Sequence, residues 1–209
     1  MVQRLLQTRL VLVSVCLIWS LAIGAGLYVL LRFQMTPGQG SSAPAIWPAQ
    51  SSLIRHPLRP TLLMLVHPRC SCSRASLQEL ARLITRFQGQ FSTVVLFYTP
   101  EGTTDAWEKT DLWRTATALP GVQAIRDING REAMQFGGYT SGYTVLYDAN
   151  GHLLFHGGIT PSRGHIGDNE GSNAIATLLT QQRADSHHTL AFGCDLFAPD
   201  LPQEKKNAD

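Results

Sequence analysis

The stretch "LMLVHPRCSCSRASLQELARL", Leu63 to Leu83 of a 209-residue chain, decides how the rest is read. The apolar run that begins two residues earlier, "TLLMLVH", suits a strand buried on both faces. A polar break, "PRCSC", holds two of the chain's four cysteines. Beyond it Leu77, Leu80, Ile84 and Phe87 recur at the spacing of one helical stripe, with Ser73 as candidate N-cap. Strand, cysteines, helix: the question is why two thiols stand one residue apart at the mouth of a helix.

Working outward, "FSTVVLFYT" (Phe91–Thr99) reads as a second buried strand. Asp105 with Glu108 three residues on has capping-box character and opens a helix carrying Trp107, Leu112, Ala116 and Leu119. "TVLYDANGHLLF" is a hairpin around Asn150-Gly151, and "SNAIATLLTQQR" supplies a last helix capped by Ser172 or Asn173. Strand–helix–strand–helix, then hairpin and helix, is the pattern of an α/β domain with helices flanking a mixed sheet. Between hairpin and last helix lies a long Gly-rich loop, Gly157 to Ile175, gathering Arg163, His165, Asp168 and Asn169. It is read as a surface loop, with a polar patch near the cysteines or a docking surface as the functional alternative.

The N-terminus carries a different signal. From Leu10 to Leu31 no side chain is charged, and about 20 apolar residues suffice to cross a bilayer core. A cleavable leader has a shorter apolar region and a small-residue cleavage site, and no such site follows here. Arg4, Arg9 and the amino group precede the segment and Arg32 follows it, so the positive-inside rule leaves the N-terminus in the cytoplasm. The expected layout is a cytoplasmic N-terminus over residues 1–9, a single-pass inner-membrane anchor over 10–31, a flexible linker over 32–59, a domain over 60–183 in the periplasm, and a polar tail over 184–209. The bilayer is thus one partner. A formal charge of +2 gives no reason to expect nucleic acid as another. Neither phosphate-binding glycine motif is present, which disfavours a nucleotide enzyme. Cys16 falls inside the apolar helix and is read as a packing residue.

A cysteine pair between first strand and first helix, with "DINGREAMQFGGYTSGYTVLYDANGHLLFHGG" (Asp127–Gly158) downstream, resembles the thioredoxin-like superfamily over about Pro60 to Arg183. The tether resembles the membrane-anchored, outward-facing branch of TlpA-like or RedB-like proteins. Two departures stand out. The pair is spaced C-x-C, Cys70-Ser71-Cys72, with Ser73 where C-x-x-C would place its second cysteine. Tyr143 stands where the family carries a cis-proline, so a trans peptide is expected there.

What the pair does is left among three readings. In disulfide exchange with protein thiols on the outer side of the membrane, no cofactor is needed. A helix N-terminus favours thiolate, Arg69 and Arg74 add positive charge, and His67 is a candidate base or charge partner. Cys70 would attack, with Cys72 or Cys194 resolving. The "HHTLAF" stretch before Cys194 can fold back over the site to allow the latter. A soft-metal site for copper or zinc would use Cys70, Cys72 and His67, with Cys194, His156 and His165 as further donors. In the third reading Cys194 merely staples a redox-inactive binding domain.

Overall fold

A computed structural model describes residues 2–40, 42–104, 106–181 and 187–197. The chain divides into two compact units, Met1–Thr36 and Pro37–Asp209. The first is a single helix, α1 (Val2–Met35). Its stretch Leu6–Met35 is long and apolar enough to cross a membrane. Thirty residues at about 1.5 Å each reach roughly 45 Å, more than a bilayer core requires.

In the second unit the elements run β1 (Thr61–Val66), α2 (Ser73–Arg86), β2 (Ser92–Thr99), α3 (Asp111–Ala118), β3 (Val122–Ile128), α4 (Arg131–Gln135), β4 (Thr144–Tyr147), β5 (Leu153–Gly157), α5 (Glu170–Gln181) and β6 (His187–His188). They form a six-stranded sheet in the order β3-β2-β1-β4-β5-β6. β1, β2 and β3 are parallel, β4 lies antiparallel between β1 and β5, and β6 joins the far edge parallel to β5. This is the mixed sheet flanked by helices that the sequence implies.

Alternation along β1 sorts the core into two layers. Leu62, Met64 and Val66 face α2 and α5, where Leu77, Leu80, Ile84, Phe87, Ile175 and Leu178 are buried. Leu63 and Leu65 face the other way, toward Phe136, Tyr143, Val145 and Tyr147. Every residue of β1 is buried, which explains its unbroken apolar run. Burying each leucine of the α2 stripe contributes about 1.5–3 kcal/mol. Because β1 is central and short, its C-terminal end delivers the cysteine break to the edge of both layers.

Several expectations need correction. Ser73 is not the N-cap of α2; it is the first helical residue, and Cys72 takes the cap position in αR conformation with no side-chain cap. Asp105 lies outside the described residues. Glu108 does not open a helix: α3 begins at Asp111, after Thr110 in extended conformation. Glu108 is instead fully buried and pairs with Arg126 of β3 at 3.0 Å, as a carboxylate removed from water must. The last helix starts earlier than expected and is capped by Asn169, whose Oδ1 accepts the Ser172 N–H at 2.8 Å. β3 was invisible in the sequence because "VQAIRDI" is a half-exposed edge strand carrying charge.

The largest correction falls within the flexible linker expected over 32–59. Its stretch 43–53 is packed against the sheet. Ala45 C=O accepts the Leu153 N–H and Trp47 N–H donates to Gly151 C=O. The Trp47 ring meets Phe136 and Tyr147 edge-on at 4.8 and 5.2 Å, and Leu53 is buried in the second core layer. The apolar "AIW" inside a Pro/Ser-rich stretch was the legible signal, outweighed by composition. Trp47→Ala is expected to cost about 2–3 kcal/mol, at or below the usual range for losing a large aromatic because Trp47 is only half-buried. A lowered denaturant midpoint, followed by limited proteolysis of the detergent-solubilised chain, would show it.

Candidate functional site

β1 ends at Val66, and the chain turns sharply through His67 and Pro68. The Cys70 N–H bonds His67 C=O at 3.0 Å and the Ser73 N–H bonds Cys70 C=O at 3.1 Å, which starts the coil of α2. This turn is clamped from the side by the loop that precedes β4. Ser141 Oγ accepts the His67 N–H at 2.7 Å and shares a proton with Ser73 Oγ at 2.6 Å. Gly142 lies so close that a Cβ there would stand 2.6 Å from Ser76 Oγ.

Against the same loop runs the segment around Cys194. The Ser141 N–H donates to Cys194 C=O at 2.8 Å, and the Leu196 N–H donates to Tyr139 C=O at 2.7 Å. Cys194 is thereby delivered to the cysteine pair. Its Sγ lies 2.7 Å from that of Cys70, and the sulfurs of Cys70, Cys72 and Cys194 all fall within 4.8 Å of one another. All are free thiols; Cys70 is buried, with 2% of its surface exposed, while Cys72 and Cys194 are half-buried.

These contacts split the thiols' acidities. The hydrogen bond from Cys194 is the largest influence on Cys70, and with help from Ser73 it overcomes burial and drives the Cys70 thiol far down. The same bond, then burial, pushes Cys194 far up, so the proton resides on Cys194. Burial, and next the charge on Cys70, push Cys72 up. Cys70 is thus the thiolate of the group.

The remaining candidates take varied places. His67 is pushed down by burial, a trend the Cys70 charge opposes and Arg69 reinforces, so it is a neutral ring rather than a cation. Its Nδ1 accepts the Arg69 N–H, and the ring stacks on Tyr98. Arg69 lies over the Trp107 ring, 3.8 Å from its centroid, and Arg74 is exposed and paired with Asp111. Neither arginine numbers among the influences on Cys70. The cation that does act on the sulfurs is Arg163, which lowers both Cys72 and Cys194 and donates to Gly193 C=O.

Tyr143 is buried in the second core layer with its hydroxyl 3.2 Å from His156 Nδ1. Its peptide is trans, as are all those described. Ser141 and Gly142, rather than the Tyr143 ring, face the cysteine turn. His156 stacks on His188, and His165 bonds Arg163 C=O. Among the described residues, no histidine joins the sulfur cluster. In the Gly157–Ile175 loop Asp168 accepts from Asn173, and the Gly167 N–H is held by the buried Glu79.

Sequence reasoning missed Ser141 and Trp107. Nothing in "YTSGY" marks a serine that bridges segments, and Trp107 reads as core until Arg69 is seen to lie on it.

No protein-family model matches the chain, and no curated protein does either. Solved structures do. An uncharacterized conserved protein from Geobacillus kaustophilus superposes with a TM-score of 0.57 at 14% identity, over 79% of this chain and 94% of that one. A hypothetical protein from Sinorhizobium meliloti gives 0.54 at 16%, over 78% and 94%. A thiol-disulfide oxidoreductase from Bacteroides fragilis gives 0.45 at 17%, over 69% and 100%. The second unit shares the fold of the first two of these, and its strand order β3-β2-β1-β4-β5 with helices flanking the mixed sheet is the architecture that the thioredoxin-like resemblance implies.

If Cys194 holds Cys70 as thiolate, titration of the thiolate ultraviolet absorbance must report one thiol ionised well below the ordinary cysteine range of about 8.5. A lowered pKa keeps the charged form to lower pH, so Cys194→Ala is expected to move that midpoint up by at least about one unit, roughly 1.4 kcal/mol. A midpoint unchanged in the variant would assign the effect to Ser73 and the helix terminus alone.

Proposed function

We propose that this chain is a membrane-tethered thiol-disulfide oxidoreductase whose domain faces outward, into a periplasm-like space, and acts on protein thiols and disulfides there. The observation that carries the reading is the sulfur of Cys70 at the entry to α2, with two other thiols within 4.8 Å of it, one of which, Cys194, pushes its pKa down. A thiolate is the nucleophile of disulfide exchange, and a second sulfur in reach releases the mixed disulfide it forms. The thioredoxin-like fold and the apolar α1 agree with this use. Outward orientation rests on the arginines before α1 and on the oxidising compartment in which disulfides persist.

The chemistry needs no organic cofactor. The Cys70 thiolate attacks one sulfur of a partner disulfide, and the partner's other sulfur leaves as thiolate. A second cysteine of the domain then attacks Cys70, closes an internal disulfide and releases the partner reduced; two electrons have passed from domain to partner. Every step is reversible, so the potential of the pair sets the direction.

Soft-metal delivery is the second reading, and the three-sulfur cluster favours it. Against it, no histidine of the described residues joins the three sulfurs, so a fourth ligand would have to come from elsewhere.

For the full chain in detergent, Cys70→Ser is expected to abolish exchange with oxidised glutathione, a loss of at least about 100-fold, because the attacking sulfur is removed. Unchanged exchange, together with stoichiometric zinc or Cu(I) uptake by the unmutated chain, would transfer the function to metal delivery.

A further inference from the structure

Residues 187–197 form a strap that is built into the domain. Its first residues, His187 and His188, pair with Phe155 and His156 as β6. The Thr189 N–H then bonds His156 C=O. Past Ala191, whose C=O accepts the Gly38 N–H, the strap bridges antiparallel to the Tyr139–Ser141 loop with Thr140 opposite Asp195. It ends with Leu196 buried and Phe197 edge-on to Tyr98 and Tyr139.

The fit is backbone on backbone. A Cβ on Gly193 would stand 1.8 Å from Ser141 C=O, and one on Gly158 would stand 2.6 Å from Leu190 C=O. Both positions admit only glycine with the strap seated. Seated, the strap leaves Cys70 at 2% exposure, so a partner's sulfur and the Cys194 sulfur compete for one place.

Resting on the exchange reading above, we propose that Cys194 is the resolving cysteine: the strap carries it against Cys70, and the Cys70–Cys194 disulfide, not Cys70–Cys72, is the domain's redox couple. Cys72 is poorly placed for that task. It takes the N-cap of α2, where its side chain is tied to the start of the helix, whereas the 2.7 Å approach to Cys70 is made by Cys194. The strap must lift for a partner disulfide to reach Cys70. Attack then gives the Cys70–partner mixed disulfide and one partner thiolate. Cys70 now carries no charge, so the largest influence holding the proton on Cys194 is removed, and Arg163 favours its loss. The reseated Cys194 thiolate attacks Cys70, the Cys70–Cys194 bond forms, and the second partner thiolate leaves. Both electrons have come from the pair.

The full chain in detergent, equilibrated in glutathione buffers, quenched by alkylation and mapped by mass spectrometry, tests this. The expected internal link is Cys70–Cys194, and in Cys194→Ser the Cys70–glutathione adduct is expected to outlive that of the unmutated chain by at least tenfold. Gly193→Ala, which unseats the strap, is expected to speed Cys70 alkylation tenfold or more. A dominant Cys70–Cys72 link, or an adduct in Cys194→Ser that resolves at the unmutated rate, overturns the assignment of Cys194 but leaves disulfide exchange standing. Alkylation unchanged in Gly193→Ala overturns the strap as the gate to Cys70. If Cys70 forms no disulfide at all, with glutathione or within the chain, the exchange reading itself falls.

Discussion

Ser141 is where the domain's separate parts are joined. Its hydroxyl accepts from the backbone of His67 and bonds Ser73 at the entry to α2, while its own N–H donates to Cys194 C=O. One small residue therefore fixes the cysteine turn, the loop before β4 and the C-terminal strap relative to one another. It is buried, at 1% exposure, so each of these bonds forms away from water, where an unpaired partner costs about 1–3 kcal/mol. The separation of the three sulfurs is set through those bonds as much as through the cysteines themselves.

The electrostatics follow from that geometry. A helix terminus and nearby arginines are the features usually credited with ionising a thiol. Here Arg74 is drawn off by Asp111 and Arg69 by the Trp107 ring, and the neighbouring thiol does the larger share. One thiolate among three thiols is also the arrangement that burial tolerates best. A second charge a few ångströms away would repel the first in a poorly screened setting.

The sequence was most informative where one physical signal dominated. β1 and α2 were legible because unbroken burial and a 3.6-residue stripe each leave a plain pattern, and the cysteine break between them followed at once. The strand β3 and the packed segment 43–53 were not, since an edge strand keeps its charges and a chain lying along a surface keeps its prolines and serines. Glu108 was read as a cap because its burial beside Arg126 depends on a strand 14 residues further on. Cys194 was named as a candidate resolver, metal donor or staple, but which sulfur it meets is a matter of contacts 124 residues apart in sequence. No local pattern records such a contact.

The strap also finishes the sheet. By pairing with Phe155 and His156, residues 187–188 cover the outer edge of β5 at its C-terminal end. An open strand edge is a template for other chains, and the strap shortens the one that β5 would otherwise present. The segment that brings a sulfur to Cys70 thus also satisfies backbone groups of β5, so one short stretch of chain links the geometry of the site to the completion of the sheet.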